Sequence, residues 1–397
     1  MSAPAAVLPA SGADRPAWGP VLAMTLCVVV LIASEFLPVS LLTPMARDLG
    51  LTAGQAGQAI SISGLFAVLT SLFVTRLVGT YDRRHVVIGM ALLLAVSGSL
   101  VAAAPNFVVL MTGRALLGVA IGGFWSLNTA IIMRLLPAAL VPAGLAVSNG
   151  GVAFASTVSA PLGSALGDVI GWRWTFFAVV PLALVAAAWQ AMALPRLPAG
   201  DQGRTGGVLR LLRSRQIALG MAAILMFFMG QFALFTYLRP FLEQVTGVDI
   251  ATLSALLLMI GVASLLGNAL IGPVLRASLP LALAGIPLIM AGVALMIAVT
   301  GTSTWTVAGL LALWGLVATG GPVAWGTWLT RALPHDVEAG GGLQVAVIQL
   351  AITLGATAGG QVFDAAGPIA NVMGSAGILA LAGVAAIVAG RAIPRQA

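Results

Sequence analysis

Val21–Met45 reads VLAMTLCVVVLIASEFLPVSLLTPM, an apolar run long enough to cross a bilayer, with a single acidic side chain, Glu35, near its middle. A hydrocarbon core about 30 Å thick takes about 20 helical residues. An ionisable group at that depth costs roughly 2.5–3.5 kcal/mol on insertion scales, so it faces protein or water. Glu35 is therefore a candidate proton or substrate site, the alternative being a carboxyl buried and held by hydrogen bonds.

The rest of the chain houses that run. Of 397 residues, 60% are hydrophobic and 7% charged, with a mean hydropathy of +1.09. Soluble domains carry roughly 25% charged residues, so this is an integral membrane protein. The single cysteine, Cys27, excludes an intramolecular disulfide and thiolate metal sites. His85 and His335 have no metal-ligand spacing, and neither an H-E-x-x-H motif nor clustered carboxylates occur. An intramembrane enzyme is thus disfavoured, and no cofactor is expected.

Hydropathy predicts twelve spans: 20–45, 55–78, 85–104, 107–134, 139–166, 173–194, 216–240, 249–275, 279–300, 304–332, 338–363 and 368–390. Gly- and Ala-rich helices such as 144–167 suit close packing in lipid. The polar interruption 195–215 sits near the midpoint and reads as a linker between six-helix halves, 20–194 and 216–390, with tails at 1–19 and 391–397. The first segment is read as retained, its apolar span being too long for a signal-peptide core. Ala115, Leu116, Gly118, Gly123, Arg134, Leu136 and Pro137 recur 197 residues on as Ala312, Leu313, Gly315, Gly320, Arg331, Leu333 and Pro334. Asp168 and Gly171 pair more loosely with Asp364 and Gly367. These matches support a duplicated unit.

With no lysine in the chain, arginines set the orientation. Fourteen fall on the side of the termini and three, Arg47, Arg173 and Arg239, on the other, which puts both termini in the cytoplasm. The eighteenth, Arg114, lies inside the fourth span. Counted from the same face at 1.5 Å per residue, Glu35 and Arg114 sit roughly 13 and 10 Å deep. The shared level points to electrostatic coupling between them, against a snorkelling arginine as the alternative.

Other polar and aromatic residues share helix faces. Arg114, Gly118, Trp125 and Asn128 fall near one line on span 4, as do Trp314, Trp325 and Trp328 on span 10 and Phe227, Gln231 and Phe235 on span 7. Rings beside small residues leave room for a flat ligand, so Trp125, Asn128, Gln231, Phe235, Trp314 and Trp325 are candidate substrate contacts. Asn149, Ser156, Asn268, Gln349 and Thr353 read more simply as interhelical hydrogen bonders. Asp82, Arg83 and Arg84 on the turn between spans 2 and 3 are candidates for a charged latch. Pro161 and Gly163 in span 5 suit a hinge or a close helix contact.

These residues resemble the major facilitator superfamily, specifically its drug/proton antiporter group, over essentially the whole chain. Gly79 with Asp82-Arg83-Arg84 resembles a shortened form of the family's cytoplasmic loop motif. Arg114 with Gly118 resembles the fourth-helix motif tied to proton coupling. Ala160-Pro161 with Gly163 resembles the antiporter motif of the fifth helix, with alanine where glycine is usual. SEFLPVSLLTPMARDLG from Ser34, GRALLGVAIGGFW from Gly113, SAPLGSALGDVIGWR from Ser159, GQFALFTYLRP from Gly230 and GLQVAVIQLA from Gly342 resemble bacterial purine ribonucleoside efflux pumps.

The resemblance implies an all-α fold of twelve transmembrane helices in two pseudo-symmetric halves. It further implies proton-coupled export of inosine- and guanosine-like nucleosides across a bacterial inner membrane. The partners expected are the nucleoside, protons and the lipid bilayer, with no nucleic acid and a monomeric state. Sugars and lipophilic drugs are the alternative cargoes.

Overall fold

The structure, a computed structural model, describes residues 18–79, 81–198, 208–333 and 337–391. Nearly all of the expected N-terminal tail, the middle of the linker, the tail after Arg391 and His335 lie outside the described residues. Within them every regular element is helical.

The helices are α1 (Trp18–Leu49), α2 (Ala53–Val78), α3 (Arg83–Ala102), α4 (Phe107–Leu135), α5 (Val141–Val169), α6 (Gly171–Phe177), α7 (Val179–Ala193), α8 (Arg215–Thr236), α9 (Leu238–Phe241), α10 (Ile250–Ala277), α11 (Leu279–Thr300), α12 (Thr304–Ala318), α13 (Gly320–Ala332) and α14 (Val337–Arg391). α6 with α7 forms one span and α12 with α13 another, while α14 contains two. Gly367 interrupts α14 with φ of +86°, a conformation glycine adopts without a Cβ penalty. Its counterpart in the sequence repeat, Gly171, has φ of +81°. With the break at Gly367 the chain makes twelve crossings, close to the expected bounds.

Polar residues in the short connections explain where helices start. Thr52, Asp82, Asn106, Asp249, Ser278 and Ser303 each accept a backbone N–H from the first turn that follows. Prolines explain where three of them stop. Pro181, Pro240 and Pro322 lack an N–H for the carbonyls of Phe177, Thr236 and Ala318, which are the last residues of α6, α8 and α12.

Two large apolar cores result, with a small third cluster of Leu42, Ala46, Ala56, Tyr237 and Phe363 across the halves at the outer end. One is built from residues between Val21 and Leu197. The other runs from Ile217 to Ala386 and takes in Val39, Ile60 and Ala160 from the first half of the chain. Phe36 packs against both.

Hydrogen bonds between residues before 198 and residues after 208 are confined to one end. Thr52 and Gly54 donate to Asp364, Thr353 and Thr357 to Ser61, Thr157 to the Gly261 carbonyl, Ser254 to Ser164, Gln349 to Glu35 and Arg239 to the Ser40 carbonyl. All lie between the level of Glu35 and the end that carries Leu49, called here the outer end. Among the described residues, none lies on the inner side of Glu35, toward Trp18. Among the described residues, the hydrogen bonds that join the halves therefore gather toward the outer end.

Candidate functional site: the seam around Glu35

Glu35 stands where the hydrogen-bonded part of the seam begins. It is 9% exposed, and its Oε1 accepts from Gln349 Nε2 of α14 at 3.5 Å. One carboxylate thus touches both halves of the chain. Beside it Phe36 stacks on Phe232 at 6.2 Å between ring centres and meets Phe235 edge-on at 6.1 Å. Gln231, on the same stretch of α8, has a buried Oε1 without a partner.

Arg114 lies at the expected level, 1% exposed, and its guanidinium addresses backbone. Nε donates to the Ala59 carbonyl at 2.8 Å, Nη1 to the Ser34 carbonyl at 2.7 Å, and Nη2 to the Glu35 carbonyl and Ser63 Oγ at 3.5 and 3.3 Å. Ser34 precedes Pro38 by four residues, so its carbonyl has no intrahelical donor. Arg114 supplies the hydrogen bond that Pro38 removes from α1. The ion pairs among the described residues are Arg173–Asp48 and Arg239–Glu243. Arg114 therefore bonds to the turn that carries Glu35 without pairing with its carboxylate.

The remaining candidates divide by depth of packing. Asn128 is 2% exposed, and its amide donates to Ser148 Oγ at 3.1 Å while its Oδ1 has no partner. Trp125 is half-buried at the edge of the first core. Trp314 and Trp325 are 2% and 1% exposed inside the second core, Trp325 edge-on to Trp328 at 5.6 Å. In this state they offer a ligand no free ring face. The structure gathers Glu35, Gln231 and Phe235 at the seam, and keeps Trp314 and Trp325 behind it.

Gly163 meets α1 beside Pro38, where a Cβ would lie 2.5 Å from Ser40 Oγ and 2.7 Å from the Leu37 side chain. Pro161 lacks an N–H for the Thr157 carbonyl, and a Cβ on Gly261 of α10 would come 2.7 Å from that oxygen. Small residues thus bring α5 onto α1 and α10.

Asp82, Arg83 and Arg84 bond within the first half of the chain. Asp82 caps α3, accepting N–H from Arg84 and from Leu197, each at 2.9 Å. The Arg83 N–H donates to the Leu197 carbonyl at 2.9 Å, and the Arg84 guanidinium to the Ala191 carbonyl. Partial burial pushes the Asp82 carboxyl up, but the two backbone N–H groups, helped by His85 and Arg84, hold it below the usual aspartate range.

Arg239 is the correction to the loop count. The outer-loop position expected for it is in fact buried, at 6% exposure. Phe36 and Phe232 are likewise additions. The four-residue offset from Pro44 back to Ser40 was the available sign that α1 needs an external donor there.

The model of the Major Facilitator Superfamily matches residues 24–356. The chain is 51% identical over 378 residues to the transcription regulatory protein OpdE of Pseudomonas aeruginosa, covering 94% of each. It is 42% identical over 372 residues to the purine ribonucleoside efflux pump NepI of Salmonella typhimurium, again covering 94% of each. Among solved structures, a bacterial homologue of the human lysosomal transporter Spinster, inward-facing and unoccupied, gives a TM-score of 0.77 at 15% identity, with 96% of this chain and 98% of that chain covered. A D-xylose–proton symporter gives 0.74 at 14% identity with the same coverage. At such identities these two likenesses concern the fold alone.

Proposed function

We propose, from the premise that the chain belongs to the major facilitator superfamily and is a transporter, that it exports purine ribonucleosides in exchange for protons. The observation that carries the coupling is Glu35: an acidic side chain at membrane depth, bonded across the seam to Gln349. A proton arriving on that carboxyl changes its demand for donors, and so changes the join between the halves. The cargo rests on the 42% identity to a named purine ribonucleoside pump along nearly the whole chain.

In this reading 20–194 and 216–390 rock about the seam, with 195–215 as linker, in a bacterial inner membrane with both termini cytoplasmic. The joined outer end then corresponds to the state that loads from inside. Phe36, Phe232 and Phe235 supply stacking faces for a flat base, while Gln231, Asn128 and Trp125 supply donors, acceptors and a further ring. Trp314 and Trp325 join only if the core around them opens. Asp82, Arg83 and Arg84 reach the second half in the opposite, inner-closed state.

The name of the Pseudomonas relative does not compete with this. A transporter that sets the internal level of an effector alters transcription without touching DNA.

The test is uptake of labelled inosine into inside-out vesicles with an acid interior, native chain against Glu35→Gln. Uptake above equilibrium is expected in the native chain, and Glu35→Gln should lose it while retaining exchange of labelled for unlabelled inosine. Native uptake indifferent to the gradient would remove the antiport. Absent inosine uptake would turn the search to sugars or lipophilic drugs.

A further inference from the structure

α1 contains a second proline, Pro44, and it orphans a second carbonyl, that of Ser40, four residues back. As at Pro38, the missing donor is an arginine from elsewhere: Arg239 Nη1 donates to the Ser40 carbonyl. Unlike Arg114, Arg239 comes from the other half of the chain. It is delivered by the turn that Pro240 forces at the end of α8, where α9 begins. Its Nε is held at the same time by Glu243 Oε1 at 2.7 Å.

The surroundings of the two arginines differ as well. Arg114 is 1% exposed, with four partners on α1 and α2. Arg239 directly precedes Pro240, which with Glu243 of the same turn and Leu42, Thr43, Ala46 and Arg47 of α1 lines an outer cavity of about 280 Å³. A guanidinium leaving Ser40 keeps Glu243, which lines that cavity, as its counter-ion. The charge is not stranded by separation, which is the condition for a contact that breaks and reforms at each turnover.

We infer that Arg239, positioned by Glu243, is a releasable clamp that closes the outer end by completing the backbone of α1 at Pro44, while Arg114 is the permanent clamp at Pro38. The inference rests on the alternating-access part of the proposed function and is indifferent to the cargo.

The test uses the full chain with Cys27→Ala and spin labels on Ile170→Cys and Thr302→Cys, exposed positions at the outer ends of different halves, and reads their distance distribution. Arg239→Met is expected to raise the ratio of outer-separated to outer-closed molecules about tenfold, the scale of a hydrogen bond from a charged donor. Pro44→Ala gives α1 its own N–H for Ser40. It should raise the same ratio, and on that background Arg239→Met should add less than about twofold.

Should Arg239→Met not fold, Pro44→Ala alone still reads the clamp. Unchanged distances in Pro44→Ala, or an undiminished effect of Arg239→Met on the Pro44→Ala background, would overturn it. These distances need no substrate. Absent inosine uptake with the distance shifts intact would therefore remove the nucleoside reading and leave the clamp standing.

Discussion

α1 and the spans of α6–α7, α8–α9 and α12–α13 face the same chemical problem and solve it differently. In the latter three a proline ends the helix, and the last helical residue lies four positions before it. α1 runs unbroken for 32 residues through both Pro38 and Pro44. In α1 an outside donor stands at each vacated carbonyl, Arg114 at Ser34 and Arg239 at Ser40. In a bilayer no water is available for an orphaned carbonyl. At a proline the chain can turn, carry the vacated carbonyl on through the helix as α5, α10 and α11 do at Pro161, Pro273 and Pro287, or borrow an N–H from a distant helix. Borrowing ties the shape of α1 to residues that belong to other parts of the bundle.

Removing the borrowed donor should give the largest effect. Arg114→Met leaves the Ser34 carbonyl unpaired and should cost about 2–3 kcal/mol, read as a lower thermal midpoint in detergent. Pro38→Ala in the same chain restores an intrahelical N–H and should recover most of it. Failure to recover would mean that the guanidinium is kept for another reason.

A smaller loss, about 1 kcal/mol, is expected for Asp82→Ala, where a carboxylate outside the apolar spans does for α3 what arginine does for α1. Because its carboxyl is held below the ordinary value of 3.8, that contribution is present above 3.8 and disappears as pH falls through the lower folded value. The native and Asp82→Ala proteins should therefore differ at neutral pH and converge in strong acid, as thermal midpoints would record.

The smallest change, about 0.5 kcal/mol, belongs to Pro322→Ala. The helix there has already ended, and no borrowed donor is lost. A loss as large as that of Arg114→Met would erase the distinction between broken and clamped spans.

The same distinction marks what the residues reveal unaided. Span positions, including the gap between 363 and 368 in which Gly367 falls, and the shared depth of Glu35 and Arg114 are written in hydropathy and charge, because lipid imposes them locally. The partner of Arg114 is less legible, since depth aligns it with Glu35 while the orphaned Ser34 carbonyl competes for the same protons at closer range. Arg239 reads as a loop cation because it stands at the very end of an apolar span. Its burial depends on Pro44, some two hundred residues earlier. Trp314 and Trp325 do not share the one helix face that their spacing implies, because the span breaks between α12 and α13 and puts them on different helices; nor does periodicity tell whether a face meets a cavity or a core. Phe36, beside Glu35, is not legible from the sequence, since a phenylalanine in an apolar run carries no local signal.

Ser34 and Ser40 are six residues apart, which on a helix is about 9 Å along the axis and about 120° around it. The two arginines therefore grip α1 from different sides as well as at different heights. When the halves of the molecule move against one another, such a pair of grips delivers torque more than displacement. Glu35, one residue from the inner grip, would be turned about the axis of α1 as the outer grip lets go. Rotation alone can then present the same carboxyl first to the seam and then to the opened interior, without the helix sliding through the bilayer.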